Sequence, residues 1–239
     1  MRSWKTKSGY KIYQVSNLRG NSYLIYTDKG NLLIDTGLKK TFNKLKRNLE
    51  LLNLNGIDYL ILTHTHYDHC QNAAAIKQMY DCKIIMSIHE SNFTIRGYTR
   101  LPDGTFFIPD IIVKMGRIIG RYKYGYSPFI ADIVLDDEIS LQDKGFNINI
   151  IETAGHSAGS VSVLVDNEIA VVGDAMIGLF KNSIFPPFSD DVNSMIRSWN
   201  KLLNTDCNVF LPGHGGPISR NLLAKEYSRY KSKLVPDKD

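Results

Sequence analysis

Apolar and polar positions alternate along this chain with two different periods, and each period is typical of a different kind of element. Short apolar runs bounded by turn residues predict strands over 10–15, 22–27 and 31–34, and Asp28-Lys29-Gly30 predicts a hairpin between the last two. Further strands are predicted over 58–62, 83–86, 132–135, 146–152, 161–165, 169–172 and 209–211. The predicted strands therefore occupy both halves of the chain.

Apolar residues that recur three and four positions apart predict amphipathic helices. Phe42, Leu45, Leu49 and Leu52 fall on one face of a helix predicted over 39–53. Other helices are predicted over 71–80, 89–94, 192–203 and 219–231. Because strand-rich stretches in each half end in helices, the pattern predicts an α/β fold in which two halves stack as a four-layer α/β/β/α sandwich. We expect residues 1–239 to form one domain.

The composition is that of an ordinary globular protein, with 239 residues of which 43% are hydrophobic. No apolar run approaches the roughly 18–20 residues that span a membrane, and the basic N-terminus leads into no apolar signal segment. The three cysteines form neither a CxxC pair nor an even set, so a disulfide framework is not expected. Together these features predict a cytoplasmic protein without a membrane span.

The net charge of +5 is concentrated in the segment 94–130, which has six basic residues and two aspartates. The basic residues are Arg96, Arg100, Lys114, Arg117, Arg121 and Lys123. Cations mixed with aromatic rings suit a small anionic substrate with an apolar body, or a single-stranded nucleic acid whose bases stack. The alternative is that the aromatic residues only anchor a long insertion to the core. We predict that this segment forms a basic, aromatic, lid-like insertion.

Candidate chemistry is concentrated where predicted strands end. The segment 63–69 follows such a strand and contains three of the six histidines together with Asp68. His156 and His214 lie in glycine-rich turns farther along the chain. Because open α/β sheets bind ligands at the carboxyl ends of their strands, and imidazoles and carboxylates are common metal ligands, this distribution predicts a metal site. His89 has no such context and is expected to be an ordinary hydrogen-bonded residue.

The segment 64–69, His-Thr-His-Tyr-Asp-His, resembles the HxHxDH signature of the metallo-β-lactamase superfamily. Gly155-His156-Ser157, Gly173-Asp174 and Gly213-His214-Gly215 resemble the later metal motifs of that family, in the same order. The resemblance covers nearly the whole chain and implies the metallo-β-lactamase type of sandwich. Carried over by position, it implies that one metal ion is held by His64, His66 and His156, that a second is held by Asp68, His69 and His214, and that Asp174 bridges both.

A site of this type implies a hydrolytic mechanism. Two divalent ions roughly 3.5–4 Å apart lower the pKa of a bridging water, so that a hydroxide nucleophile forms near neutral pH. Asp68, as a ligand of the second ion, is placed to orient that hydroxide and to pass a proton, which makes it the predicted catalytic residue. Zinc suits these donors, and iron or manganese would also be accepted. Asp35 is predicted to orient a neighbouring ligand.

Substrate choice rests on other positions. The antibiotic-hydrolysing β-lactamases of the superfamily lack an aspartate at the position of Asp174, so this residue resembles the thioesterase, lactonase and nuclease branches. Ile177 stands where the lactonases that open acyl-homoserine lactones carry a tyrosine. We predict hydrolysis of a small ester, thioester or lactone. The alternatives are a phosphodiesterase or nuclease that uses the basic lid, and a mononuclear iron or non-catalytic metal-binding member of the family.

Contacts to the substrate, a small and possibly anionic molecule, are predicted in two segments. One is the lid, and the other follows Asp174 closely enough to form a wall of the pocket. The predicted contacts are Arg117, Arg121, Lys123, Phe180, Phe185 and Phe188. The sequence leaves the oligomeric state open.

Overall fold

Two β-sheets lie face to face at the centre of the molecule. The computed structural model describes residues 1–234, apart from the side chains of Ile119, Arg121 and Lys233. Within this part of the chain the first sheet has seven strands in sequence order: β1 (Ser3–Lys5), β2 (Lys11–Asn17), β3 (Asn21–Tyr26), β4 (Asn31–Ile34), β5 (Tyr59–Ile61), β6 (Lys83–Ser87) and β7 (Ile133–Leu135). Strands β1 to β4 pair antiparallel, whereas β4 to β7 pair parallel.

The second sheet has six strands in the described part of the chain. They are β8 (Ile139–Ser140), β9 (Ile148–Glu152), β10 (Val161–Val165), β11 (Ile169–Gly173), β12 (Val209–Pro212) and β13 (Ile218–Ser219). Their spatial order is β13-β12-β11-β10-β9-β8, and only the β11–β12 pair among them is parallel. The predicted ligand residues follow the carboxyl ends of β5 in the first sheet and of β9, β11 and β12 in the second sheet.

Helices cover the outer face of each sheet. The helices are α1 (Phe42–Glu50), α2 (Tyr67–Cys70), α3 (Ala73–Tyr80), α4 (Ser91–Arg96), α5 (Phe107–Tyr124), α6 (Val192–Leu203) and α7 (Arg220–Tyr230). Leu45 and Leu49 of α1 pack with Ile76 of α3 against the first sheet. Trp199 of α6 and Leu223 of α7 pack against the second sheet. The predicted four-layer α/β/β/α sandwich is confirmed.

The central strands are buried on both faces, so their side chains alternate between two hydrophobic cores. In β4, Leu32 and Ile34 point into the core between the sheets, whereas Leu33 points towards α1. In β11, Val171 points into the core between the sheets, and Val172 packs towards α6. A fully buried side chain of this kind contributes about 1.5–3 kcal/mol to stability. This double burial explains why these strands are continuous apolar runs rather than alternating ones.

The ends of elements follow local chemistry. Helix α6 begins directly after Asp191, whose carboxylate accepts hydrogen bonds from the backbone N–H groups of Asn193 and Ser194. Helix α1 is shorter than the predicted helix over 39–53, because residues 39–41 form a 3₁₀ turn and Asn53 adopts a left-handed conformation with φ of 48°. Strands β1, β8 and β13, of two or three residues each, have no predicted counterpart.

The lid segment 94–130 contains the long helix α5, which the sequence pattern did not predict. Phe107, Ile111, Met115 and Ile118 of this helix recur at helical spacing, but they are exposed rather than packed against the core. The helix is interrupted at Gly120, which has φ of 43° and ψ of −130°. None of the helices in the described residues has the length and apolar character that crossing a bilayer would require.

The lid is attached to the body of the protein through a short β-type contact. The backbone N–H of Thr105 donates to the carbonyl oxygen of Pro187 at 2.9 Å, and Gly104 forms a bridge with Phe188. The side-chain hydroxyl of Thr105 also donates to the carbonyl oxygen of Pro186. The lid is therefore joined to the loop that follows Asp174, and the two predicted substrate segments lie side by side.

Candidate metal centre

The side chains of the predicted ligand set come together at the carboxyl edge of both sheets. Strand β5 leads into the segment that contains His64, His66, Asp68 and His69. In the second sheet, Asp174, His156 and His214 follow β11, β9 and β12. Because the parallel strands end at the same edge, residues far apart in sequence converge there.

Three groups of three side chains have donor atoms within 4.8 Å of one another, and each group could hold a metal ion. The groups are His64, His66 and His156; His64, His69 and Asp174; and Asp68, His69 and His214. The first and third groups are the two triads that the family resemblance implies. Asp174 lies between them, with Oδ2 3.6 Å from Nε2 of His156 and 3.2 Å from Nε2 of His214.

Buried donor atoms without partners indicate that this cluster suits a cation. Among the described residues, Nε2 of His64 and Oδ1 of Asp174 are buried and have no hydrogen bond. An unsatisfied buried polar atom costs about 1–3 kcal/mol. A divalent cation at this place would satisfy both atoms, because imidazole nitrogen and carboxylate oxygen are common ligands of such ions. The residues present therefore fit a divalent metal ion.

Hydrogen bonds outside the cluster direct the imidazole lone pairs inward. Nδ1 of His156 lies 2.9 Å from the carbonyl oxygen of Phe188. Because that carbonyl can only accept, Nδ1 is the donor and Nε2 keeps its lone pair. That Nε2 points at Nδ1 of His66, 2.9 Å away. The lone pair is thus available to a metal ion.

Burial sets the protonation of the deepest imidazoles. Desolvation, and secondarily repulsion from the neighbouring histidines, lowers the pKa of His64 and of His66 well below the usual value. Both side chains are therefore neutral near pH 7. A neutral imidazole is the form that binds a metal ion.

The second triad has the opposite electrostatics. Burial lowers the pKa of His69 and His214, but the Asp174 carboxylate outweighs burial and raises both. Burial raises the pKa of Asp174, yet the charges of His214 and His69 hold it well below its usual value. The carboxylate of Asp174 is therefore ionised and supplies the negative charge that neighbouring cations require.

Asp35 holds His69 in place, as predicted for this residue. Oδ2 of Asp35 lies 2.8 Å from Nδ1 of His69, so Nε2 of His69 faces the cluster. The same carboxylate accepts hydrogen bonds from the backbone N–H and the hydroxyl of Thr63. Asp35 thus connects the end of β4 to the segment that begins the histidine motif.

Gly213 allows a close approach that a larger residue would prevent. A Cβ atom at this position would overlap Oδ1 of Asp174 and would lie 2.6 Å from Cε1 of His69. The backbone carbonyl of Gly213 also accepts a hydrogen bond of 2.7 Å from Asn21. The glycine before His214 therefore has a steric role at the centre of the cluster.

Glu90 is a site residue that the sequence pattern did not identify. Its side chain is 1% exposed and accepts hydrogen bonds from the backbone N–H of Thr65 and from the hydroxyls of Thr65 and Ser157. Thr65 lies between two motif histidines, and Ser157 follows His156. Glu90 therefore links two segments that carry candidate ligands. A carboxylate shortly after the end of β6, at the same sheet edge, was the only signal in the sequence.

We expect Glu90→Gln to lower the affinity for metal ions on the order of 10–100-fold, as is typical when a group that orients ligands is changed. The amide keeps the shape of the side chain but removes the charge that strengthens its three hydrogen bonds. A competition titration with a chromophoric chelator measures the change. Glu226→Gln is the control, because Glu226 is equally buried but lies in α7. Equal metal affinities of the two variants would contradict this role for Glu90.

The sequence model of the metallo-β-lactamase superfamily matches residues 15–214, which include every residue of the cluster. The chain belongs to the metallo-β-lactamase superfamily. A relative from Methanocaldococcus jannaschii, named as a probable metallo-hydrolase, is 28% identical over 82% of this chain and 87% of its own length. A metallo-β-lactamase fold-containing protein of Sulfurisphaera tokodaii is 23% identical over 88% of this chain and 78% of its own length.

Solved structures of superfamily members share the fold. A Cronobacter sakazakii metallo-β-lactamase with a HARLDQ motif superimposes with a TM-score of 0.67, at 18% identity, over 98% of this chain and 92% of that one. An archaeal superfamily protein from Sulfolobus tokodaii has a TM-score of 0.64, at 21% identity, over 95% of this chain and 89% of that one. At these identities the similarity extends to the fold alone.

A cavity of about 250 Å³ opens above the cluster of this superfamily member. His66, Asp68, His156, Asp174 and His214 form its floor. Most of the wall residues are apolar: Leu101, Pro102, Ile112 and Val113 come from the lid, and Ile177, Leu179, Pro186, Pro187 and Phe188 come from the opposite loop. Among its described residues, the segment 94–130 therefore contributes aliphatic side chains, and no lysine or arginine, to this cavity.

The predicted aromatic contacts divide into one that reaches the cavity and two that do not. Phe188 lines the cavity. Phe185 instead packs in the core of the second sheet, with its ring centroid 5.9 Å from that of Trp199. Phe180 is 59% exposed and lies outside the cavity wall. The larger hydrophobic contact available beneath α6 explains the inward position of Phe185.

Two of the three predicted cationic contacts, Arg117 and Lys123, also lie outside this cavity. The guanidinium of Arg117 donates to the carbonyl oxygen of Leu101 and forms an ion pair with Asp103, so it fastens the lid internally. Lys123 lines a neighbouring groove. The side chain of Arg121 lies outside the described residues. Local carboxylate and carbonyl acceptors within the lid therefore account for the position of Arg117.

Proposed function

We propose that this chain is a hydrolase that requires two divalent metal ions and cleaves a small ester, thioester or lactone with an apolar acyl group. Zinc is the metal that we propose. The observation that carries the proposal is the apolar cavity directly above the histidine and aspartate cluster. The relative from Methanocaldococcus jannaschii named as a probable metallo-hydrolase supports hydrolysis as the reaction class.

Seven side chains would hold the two ions. His64, His66 and His156 would bind one ion, Asp68, His69 and His214 would bind the other, and Asp174 would bind both. The position of Asp174 supports a pair of ions, because its oxygens lie within 3.6 Å of nitrogens from both triads. Two neighbouring cations need such a shared anionic ligand to reduce their repulsion.

Two bound divalent ions supply polarisation of the substrate carbonyl and lower the pKa of a water molecule towards neutrality. Asp68 accepts a proton from the attacking water. Its carboxylate borders the cavity, with Oδ2 3.5 Å from Nε2 of His214. The oxygen of water bonds to the acyl carbon, and the bond from that carbon to the leaving oxygen or sulfur breaks. Asp68 passes the proton of the water to the leaving atom.

The walls of the cavity favour an acyl substrate over a nucleic acid backbone. None of the described residues that line it is lysine or arginine. Recognition of a phosphodiester chain depends on such cations along the path of the backbone. Aliphatic walls of the kind formed by Ile112, Val113 and Ile177 instead exclude water from an apolar acyl group.

The test is a hydrolysis screen on protein with measured metal content. We expect the ratio kcat/KM for p-nitrophenyl esters to rise from acetyl to hexanoyl, by about fourfold for each methylene group buried, as a transfer free energy of about 0.8 kcal/mol implies. Asp68→Asn should lose turnover on every substrate. Hydrolysis of phosphodiesters with inert esters would favour the nuclease alternative. Full metal loading without any hydrolysis would favour a non-catalytic metal-binding protein.

A further inference from the structure

A second groove lies beside the metal cavity and shares a wall with it. Its volume is about 420 Å³. Tyr67 and Tyr124 line both spaces, and their ring centroids are 4.7 Å apart. Tyr67 immediately precedes Asp68, so only one pair of rings separates the groove from the candidate catalytic carboxylate.

The groove is strongly cationic. Arg19, Lys39, Lys40 and Lys123 line it, and none of the described residues along it is acidic. All four side chains are exposed, and among the described residues none of them forms an ion pair. The ammonium group of Lys123 lies 5.5 Å from the ring centroid of Tyr124, at the border with the metal cavity.

Three separate segments bring these charges together. Arg19 lies in the turn between β2 and β3, Lys39 and Lys40 precede α1, and Lys123 lies at the end of α5. Like charges that converge in this way repel one another, and an anion among them turns the repulsion into attraction. The neighbouring elements supply no carboxylate for this purpose along the groove.

The position of the groove relative to the cluster is set by close packing. A Cβ atom on Gly20 would overlap the backbone oxygen of Asp68, so the turn that carries Arg19 rests directly on the histidine motif. On the opposite side, Oε1 of Gln71 accepts a hydrogen bond of 2.9 Å from the backbone N–H of Lys39. The groove and the cluster therefore share a boundary formed by directly packed segments.

We propose that this groove binds a phosphate-type group on the leaving portion of the substrate, while the acyl portion lies in the metal cavity. The inference rests on the proposed function and specifies its substrate class. The groove has four positive charges, and a carboxylate would neutralise only one of them. A phosphate monoester carries about −1.5 to −2 charges and three acceptor oxygens, so it matches the groove better. The guanidinium of Arg19 can bind two of these oxygens at once. A nucleic acid is disfavoured because no lysine or arginine among the described residues lines the metal cavity, so the cationic surface ends at the groove there.

Three matched esters test this inference. They are the hexanoyl esters of 4-methylphenol, of 4-(carboxymethyl)phenol and of 4-(phosphonomethyl)phenol, which share the acyl chain and the phenol ring and differ in the para substituent of the leaving group. We expect kcat/KM for the phosphonate to exceed that for the neutral ester by on the order of tenfold, mainly through a lower KM. An equal preference for the carboxylate would show that one negative charge suffices and would overturn the assignment to phosphate.

Variants locate the effect. In the triple variant Lys39→Gln, Lys40→Gln, Lys123→Gln, the ratio of kcat/KM between the phosphonate and the neutral ester should fall to about one. The control triple variant is Lys5→Gln, Lys11→Gln, Lys144→Gln, at three exposed lysines that line neither the groove nor the metal cavity. It should keep the preference for the phosphonate over the neutral ester. Equal loss of preference in both triple variants would indicate general charge attraction and overturn the inference.

A binding measurement separates this inference from the proposed function. Calorimetric titration of the metal-loaded protein with 4-hydroxybenzylphosphonate should show binding that the groove variant weakens and the control does not. Binding that is unchanged in the groove variant would place the phosphonate on the metal ions and overturn the inference. If the phosphonate bound in the groove but no ester were hydrolysed, the phosphate site would be supported and the hydrolase proposal would be overturned. If a single-stranded oligonucleotide bound more tightly than the phosphonate, and if that binding depended on the groove, the ligand of the groove would be a nucleic acid and the inference would be overturned.

Discussion

Replacing Asp174 by asparagine is expected to reduce turnover by on the order of 10–100-fold or more and to weaken the binding of at least one metal ion. The substitution keeps the shape of the side chain but removes a charge that lies between both triads. In the folded chain this carboxylate also neutralises His69 and His214, whose pKa values it raises. Loss of its charge therefore removes one of the two carboxylates beside each of these histidines, since Asp35 remains beside His69 and Asp68 remains beside His214.

Metal analysis combined with steady-state kinetics measures this effect. The control is Asp190→Asn, because Asp190 is an exposed aspartate on the same side of the molecule that belongs to none of the three candidate groups. We expect the control to keep its full metal content. Full metal content and unchanged turnover in the Asp174 variant would show that this aspartate does not bridge two ions.

Replacing His64 by glutamine is expected to remove bound metal and thermal stability together. His64 belongs to two of the three candidate groups, and its Nε2 has no hydrogen bond among the described residues. A ligand present at a thousand times its dissociation constant stabilises the folded state by about 4 kcal/mol. For a chain of this size that corresponds to a shift in Tm of about 10 °C.

Thermal unfolding with and without a chelator measures this shift. The chelator should lower the Tm of the natural protein, and it should leave the Tm of the His64 variant almost unchanged. His89→Gln is the matched control, since His89 is exposed and lies outside the candidate groups. If the His64 variant kept two equivalents of metal, or if chelation had no effect on the natural protein, the dinuclear proposal would be wrong.

Periodicity identified the elements that are buried against a neighbour. Strands β4, β5, β10 and β11 are mostly apolar because both of their faces are covered. Helix α6 was predicted over its full length, since one of its faces packs on the second sheet and Asp191 provides its N-cap. For these elements, burial imposes a pattern that is visible in the residues themselves.

The sequence also placed the predicted metal ligands at strand ends, through motifs whose order matches the superfamily. The tertiary structure decides that their donor atoms lie within 4.8 Å in overlapping groups of three. Glu90 shows the difference. It lies in no motif; the pairing of β6 with β5 brings its carboxylate to Thr65, and the packing of the two sheets brings it to Ser157.

The position of the lid's side chains and the existence of the cationic groove were decided by the tertiary structure. Helix α5 was not predicted, although its apolar residues Phe107, Ile111 and Met115 recur at helical spacing; in the structure these side chains are exposed. The sequence showed that the segment 94–130 is basic, but Arg117 is engaged within the lid and Lys123 reaches a groove shared with Arg19. A local pattern records which positions are buried and which chemical groups are present. The meeting of charges from three distant segments depends on chain packing, which no local pattern encodes.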